Sequence, residues 1–230
     1  TVVDPASPDA QYRAASDIHD ASFDAVILAV KPQVMTQTIH EISGLLSPTT
    51  LIISIAAGKT IAYFEQLTSA SQPIIRVMPN TPAAIGYGMS VLCANPHVTS
   101  FQKELASLLL SSVGIAEWLD DEDLMDAVTA VSGSGPAYVF HLIEALAKAG
   151  ENSGLPPHLS MTLARQTVIG AGALCSVDVT TSAETLRQNV TSPGGTTEAA
   201  LKVLMDDAHG LTEIMTRAVL AARDRGRELA

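Results

Sequence analysis

The sequence predicts a doubly wound, mainly parallel α/β domain followed by an all-α domain. Three observations predict it. Short apolar runs alternate with helix-period segments up to about residue 120. Those runs are nearly continuous rather than alternating, as strands covered on both faces require. From Leu124 onward the strand pattern stops and an Ala-rich helical period replaces it. The boundary between the two domains is placed at residues 122 and 123, giving 1–122 and 123–230.

The elements of the first domain follow in order. Thr1-Val2-Val3 reads as the end of a strand, with Asp4-Pro5 opening a loop. An acid at a strand end is where a dinucleotide-binding domain holds the adenosine ribose, so Asp4 is a candidate contact; a plain surface acid is the alternative. The chain starts on Thr and contains no G-x-G-x-x-G, so it reads as a fragment whose first βα unit lies before Thr1. Residues 23–30 form a second apolar run, buried on both faces, that stops at Lys31-Pro32. Pro32 opens a helix to Leu46. Residues 50–55 are the next strand, ending at Ala56-Ala57-Gly58, and residues 61–67 a short helix. Residues 73–78 are a strand ending at Pro79-Asn80-Thr81-Pro82. Residues 89–94 and 114–119 are two more, with a helix over 100–112 between them.

Ligands of such sheets lie beyond the carboxyl ends of the strands. The turns holding Ala29, Val30, Lys31 and Pro32, then Ile55, Ala56 and Ala57, then Asn80, all fall there. Small side chains let a nucleotide approach the backbone, and Lys31 and Asn80 add polar handles. A tight strand-to-helix connection is the alternative for each turn.

The acidic run Asp120-Asp121-Glu122-Asp123 suits a helix start, where acids complement the dipole. A helix over 124–131 then breaks at Ser132-Gly133-Ser134-Gly135. Pro136 opens a long helix to about Ser153, and helices follow over 158–176, 183–189, 198–205 and 211–228. Val168-Ile169-Gly170-Ala171-Gly172-Ala173-Leu174 has no polar face, so this stretch is expected to be buried on every side. A bundle this small has too little interior for several such helices. A second subunit is expected to cover the surplus.

Between two of these helices lies Thr191-Ser192-Pro193-Gly194-Gly195-Thr196-Thr197-Glu198. Paired glycines allow positive φ or close approach to a bound group. Thr196 or Thr197 is expected to cap a helix beginning near Glu198. The free amides of the helix start and two hydroxyls then make a pocket sized for a carboxylate or phosphate. A glycine-rich turn with an N-cap is the plainer reading.

Composition narrows the function classes. The 230 residues are 47% hydrophobic and carry a formal charge of −11, which disfavours nucleic acid and anionic membrane surfaces. No apolar run reaches about 18 residues, so no membrane span is expected. His19, His40, His97, His141, His158 and His209 show no metal-ligand spacing, and no metal is expected. Cys93 and Cys175 sit among apolar residues and read as buried free thiols of a cytoplasmic protein.

Taken together, the motifs resemble those of pyrroline-5-carboxylate reductase. The matching stretches are Ala29-Val30-Lys31-Pro32-Gln33, Ser54-Ile55-Ala56-Ala57-Gly58, Arg76-Val77-Met78-Pro79-Asn80-Thr81-Pro82, Asp126-Ala127-Val128-Thr129, Ser132-Gly133-Ser134-Gly135-Pro136-Ala137-Tyr138 and Asn189-Val190-Thr191-Ser192-Pro193-Gly194-Gly195-Thr196-Thr197. They keep the family's order over nearly the whole chain. The resemblance implies a Rossmann-like domain and a helical dimerisation domain, in a homodimer that some members build into rings. It implies an oxidoreductase of amino-acid biosynthesis. Hydride would pass from NADPH, or alternatively NADH, to the C=N carbon of 1-pyrroline-5-carboxylate, completing proline synthesis.

By the same resemblance, Ala29, Val30, Lys31, Pro32, Ile55, Ala56 and Ala57 wall the cofactor and Asn189 adds a contact. Gly194, Gly195, Thr196 and Thr197 hold the substrate carboxylate. A cyclic imine accepts hydride best when protonated, and Ser134 and His141 are the candidates to supply that proton. Two other readings compete. A β-hydroxyacid dehydrogenase or another imine reductase would place a lysine early on the long helix, where none occurs before Lys148. A non-catalytic dimeric module would keep the carboxylate pocket and bind no nucleotide.

Overall fold

The computed structural model describes residues 1–19 and 21–229. It separates into two compact units, Thr1–Gly133 with Ala222–Ala230, and Ser134–Ala221.

The first unit is built on a five-stranded sheet in the order β1-β2-β3-β4-β5. The strands are β1 (Ala25–Leu28), β2 (Leu51–Ser54), β3 (Ile74–Met78), β4 (Gly88–Ala94) and β5 (Gly114–Trp118). β1, β2 and β3 run parallel; β4 pairs antiparallel to β3 and parallel to β5. Three helices connect them: α1 (Met35–Ile42), α2 (Ile61–Leu67) and α3 (Ser100–Ser111). Strand periodicity divides the core. Ile52 and Ile74 face a cluster with Met35, Ile39, Ile61, Phe64 and Met125. Leu51, Ile53, Ile75, Val77 and Leu92 face the other side with Ala106 of α3. Fully burying one such side chain is worth about 1.5–3 kcal/mol.

Two strands differ from expectation. β1 pairs only with β2 among the described residues and forms an edge, so Ile27 is 50% exposed rather than buried on both faces. Val3 makes an isolated parallel bridge to Tyr12 and is not part of the five-stranded sheet. The reason is local: the Asp4 carboxylate accepts from the amides of Ala6 (2.8 Å) and Ser7 (3.2 Å), bending the chain back at once.

The helix expected over 124–131 is three short pieces. Asp121 caps a 3-10 turn, Glu122–Leu124, by accepting from Asp123 N. The α-helical turn α4 (Met125–Val128) follows, then a π turn, Thr129–Gly133. Thr129 donates its hydroxyl to Met125 O at 2.8 Å, one turn back.

The second unit holds α5 (Gly135–Asn152), α6 (Pro157–Val177), α7 (Ala183–Asn189) and α8 (Thr196–Leu204). The last helix, α9 (Leu211–Leu229), begins in this unit and ends in the first. α5 and α6 form a hairpin whose inner contact is made by small residues. Ala147, Ser160 and Ala164 are buried, and a Cβ added at Gly150 would come within 2.9 Å of Ser160 Oγ. The stretch from Val168 to Leu174 is not buried in the single chain: Ile169 and Leu174 are each 54% exposed. Cys175, beside it, is exposed as well, whereas Cys93 is buried. The sequence pattern marks these faces as apolar, and they stand exposed among the described residues. Among the described residues no helix is long and apolar enough to cross a membrane.

Candidate active site

In the first unit the parallel direction of β1, β2 and β3 brings their carboxyl ends to one edge of the sheet. Three turns therefore lie side by side there. Ile55 N donates to Leu28 O at 3.1 Å, tying the second turn to the end of β1. Ala29, Lys31 and Ala57 are exposed, Val30, Pro32 and Ile55 half-buried, and Ala56 buried. Lys31 stands just before the 3-10 turn Pro32–Val34 and accepts Val34 N at 3.1 Å. Gly58 takes φ +72°, a left-handed value that suits glycine, and sends the chain into α2. Thr60 caps α2 through Tyr63 N, and the Tyr63 hydroxyl meets Thr36 Oγ1 at 2.7 Å, joining α1 to α2. Lys59 Nζ lies 4.5 Å from the centroid of the Tyr63 ring.

Asn80, at the third turn, is engaged on both ends of its amide. Its Oδ1 accepts Met89 N at 2.9 Å, and its Nδ2 donates to Ser132 Oγ at 3.3 Å. It thereby joins the end of β3 to β4 and to the π turn. Gly133 closes the same region, since a Cβ there would strike the Met78 methyl. Asp4 is spent in part on its own turn, as described above.

The second unit holds the other predicted residues. Ser134 precedes α5 and is half-buried. His141 is exposed, its side chain 80% accessible, and its Nδ1 lies 3.0 Å from Glu144 Oε2. Asn189 ends α7 and is exposed. Gly194 takes φ +70°. The helix expected from Glu198 starts two residues earlier, and its N-cap is Gly195 rather than a threonine. Glu198 bonds outside the helix rather than capping it: its carboxylate accepts Gly194 N at 2.6 Å, and α8 has no side-chain cap. Gly195 N is bonded to Ser192 O. The amides of Thr196, Thr197 and Glu198 then begin α8, where no carbonyl of the helix can reach them. They and the Thr196 and Thr197 hydroxyls are the donors the loop can offer an anion.

One pair escaped sequence reasoning. Arg76, in the middle of β3, is buried, and its Nη1 lies 2.9 Å from Glu122 Oε1. Asp126 Oδ1 is 3.9 Å from Nη2. A charged residue inside an apolar strand was the visible signal; its partner was hidden in an acidic run. Cys93, opposite Arg76 in the β3–β4 register, has its thiol pushed up from the ordinary 9.0, first by burial and then by the Glu122 charge. Among the described residues no group of three or more His, Cys, Asp or Glu side chains is placed to hold a metal ion.

Comparison with known proteins places this architecture. A family profile described as pyrroline-5-carboxylate reductase dimerisation matches residues 122–229. A pyrroline-5-carboxylate reductase of Pseudomonas aeruginosa is 47% identical over 210 residues, covering 91% of this chain and 76% of the relative. The chain belongs to the pyrroline-5-carboxylate reductase family. A family member from Glycine max is 40% identical, with 90% of this chain and 74% of that protein covered. Among solved structures, the reductase of Coxiella burnetii superposes with a TM-score of 0.83 at 41% identity, over 90% of this chain and 76% of that one. The reductase of Plasmodium falciparum, solved with NADP bound, gives 0.76 at 34% identity over 90% and 77%. The chain thus spans about three quarters of the length of these relatives. Membership in the family makes it an oxidoreductase, and the helical region is one through which the family oligomerises.

Proposed function

We propose that this chain catalyses the last step of proline biosynthesis, reducing 1-pyrroline-5-carboxylate to L-proline with NADPH, NADH being the alternative donor. The observation that carries this is the 47% identity over 91% of the chain, which takes in both small-residue regions. The residues fit a dinucleotide: at the shared strand edge Ala29 and Ala57 present only methyl groups to solvent. Ala29, Val30, Lys31, Pro32, Ile55, Ala56 and Ala57 would hold it, with Asp4, Asn80 and Asn189 as further contacts. The bound cofactor supplies the hydride.

The chain's own residues do the rest. The α8 amides, with the Thr196 and Thr197 hydroxyls, hold the substrate carboxylate, and Gly194 and Gly195 leave room for it. Fixing the carboxylate fixes the ring and its C=N carbon. Ser134 or His141 supplies the proton at the imine nitrogen; the Glu144 carboxylate beside Nδ1 orients the imidazole. The division of labour is residues 1–122 for the dinucleotide and 123–230 for substrate and dimerisation. Its support is that the family profile begins at residue 122. The exposed apolar faces of α5 and α6 support a homodimer, which can assemble further into a ring. The two free thiols fit a cytoplasmic location.

The test is a turnover assay following oxidation of NADPH or NADH by 1-pyrroline-5-carboxylate, on wild type and Thr197→Ala. Wild type should turn over. Thr197→Ala should raise KM for 1-pyrroline-5-carboxylate about tenfold. Its KM for NADPH should not move. Folded wild-type protein that oxidises neither cofactor would refute the assignment.

A further inference from the structure

We propose that Glu122 is a positioning residue for the dinucleotide. Fastened to the buried Arg76 guanidinium, it clamps the first amide of α2 and so sets the small-residue turn at 55–58. This rests on the cofactor reading above and names a residue that reading does not use.

The geometry is simple. Glu122 Oε1 lies 2.9 Å from Arg76 Nη1 and 2.9 Å from Ile61 N. Ile61 is the first residue of α2, so its amide has no acceptor within the helix. Thr60 Oγ1 already serves Tyr63 N. The carboxylate therefore satisfies a different orphan amide, and it sits at the positive end of the α2 dipole. Glu122 is 61 residues away in sequence and cannot be replaced by a neighbour in the turn.

The turn is held at both ends, and between them a Cβ added at Gly58 would meet Leu229 O at 3.4 Å. At its sheet end, Ile55 N bonds Leu28 O and Ala56 N meets Ser54 Oγ at 3.3 Å. At its helix end the hold is Glu122. Ala57 and Gly58, with its left-handed φ, span the gap. A shift of the α2 start thus moves the backbone that would line the dinucleotide. Arg76 fixes where Glu122 can be. Its own side chain is 7% exposed, and a buried guanidinium holds its carboxylate in place. Asp126 supplies a second counter-charge to Arg76, so replacing Glu122 does not leave the guanidinium without one. The loss then falls on the turn rather than on the fold.

The experiment uses the full chain, titrated with NADPH by fluorescence and followed by steady-state kinetics. Glu122→Ala should weaken NADPH about tenfold, in both Kd and KM. KM for 1-pyrroline-5-carboxylate at saturating NADPH should stay within about twofold. Glu122→Gln keeps an oxygen that can accept Ile61 N, and should recover Kd to within about threefold of wild type. Two results would overturn the proposal: unchanged NADPH affinity in Glu122→Ala, or equal weakening of both substrates in the two variants. Wild type that binds no NADPH would overturn the cofactor reading itself, and this proposal with it; the variants are judged only against a binding wild type.

Discussion

Phe64 on α2 and Phe140 on α5 are the same residue on two helices, yet the first is fully buried and the second 62% exposed. The difference belongs to the two regions rather than to the residues. The α/β unit packs helices against its sheet and buries two apolar clusters within one chain. In the helical unit, α5 and α6 bury only their small residues against each other. Their large ones, including Phe140, Leu146, Leu163 and Ile169, are left in solvent. Exposed apolar side chains in such number mark a surface that another protein surface covers. A helical region can therefore be fully specified in secondary structure and still lack its own core.

The largest expected effect tests that contrast directly. Ile169→Asp places a charge on the exposed α6 face, where a single chain would tolerate it. If a second copy covers the face, the charge must be desolvated, at a cost of several kcal/mol. The oligomer should then dissociate by more than about a hundredfold in Kd, read by light scattering across a dilution series. A complex as tight as wild type would show that this face is not the covered one.

Phe64→Ala should act on the other side of the comparison. Its cavity lies inside the sheet unit, so stability should fall by about 3–5 kcal/mol in urea denaturation, with the oligomeric state unchanged. A loss under about 1 kcal/mol would mean that the core around α2 collapses to fill the gap.

The smallest effect concerns Cys93. Its thiol is raised above 9.0, so the folded chain keeps a proton that the unfolded chain gives up first. This contribution to stability is complete below the unfolded value and is lost as pH rises through the folded one. The urea midpoint should therefore fall as pH rises beyond about 9, and fall less in Cys93→Ala. Parallel curves for the two proteins would mean that the thiol does not contribute.

Much of the fold was legible because its signals are local. The five apolar runs after residue 20 became five strands, while Val2-Val3 did not join the sheet, and the helices after residue 135 begin and end within about two residues of their expected bounds. Pro32 and Pro136 marked boundaries for reasons intrinsic to their backbones. The site was legible as motifs: three small-residue turns and a glycine-threonine loop. What was misread involved competition between equally plausible local groups. At the loop, glycine and threonine both suit an N-cap, and α8 takes Gly195. At residues 129–133, nothing in the helical period announced a π turn.

The sequence by itself determined the order and kind of the elements, the apolar faces of the helices, and the motifs of the reductase family. These depend on periods of two and 3.6 residues and on backbone preferences, all of which act over short stretches. Only the tertiary structure decided that β4 runs against β3 and that Glu122 serves both Arg76 and Ile61. Each is a contact between residues far apart in the chain. Which of four acids in a row turns inward depends on where a buried guanidinium and a helix start have been brought, and no local pattern carries that position.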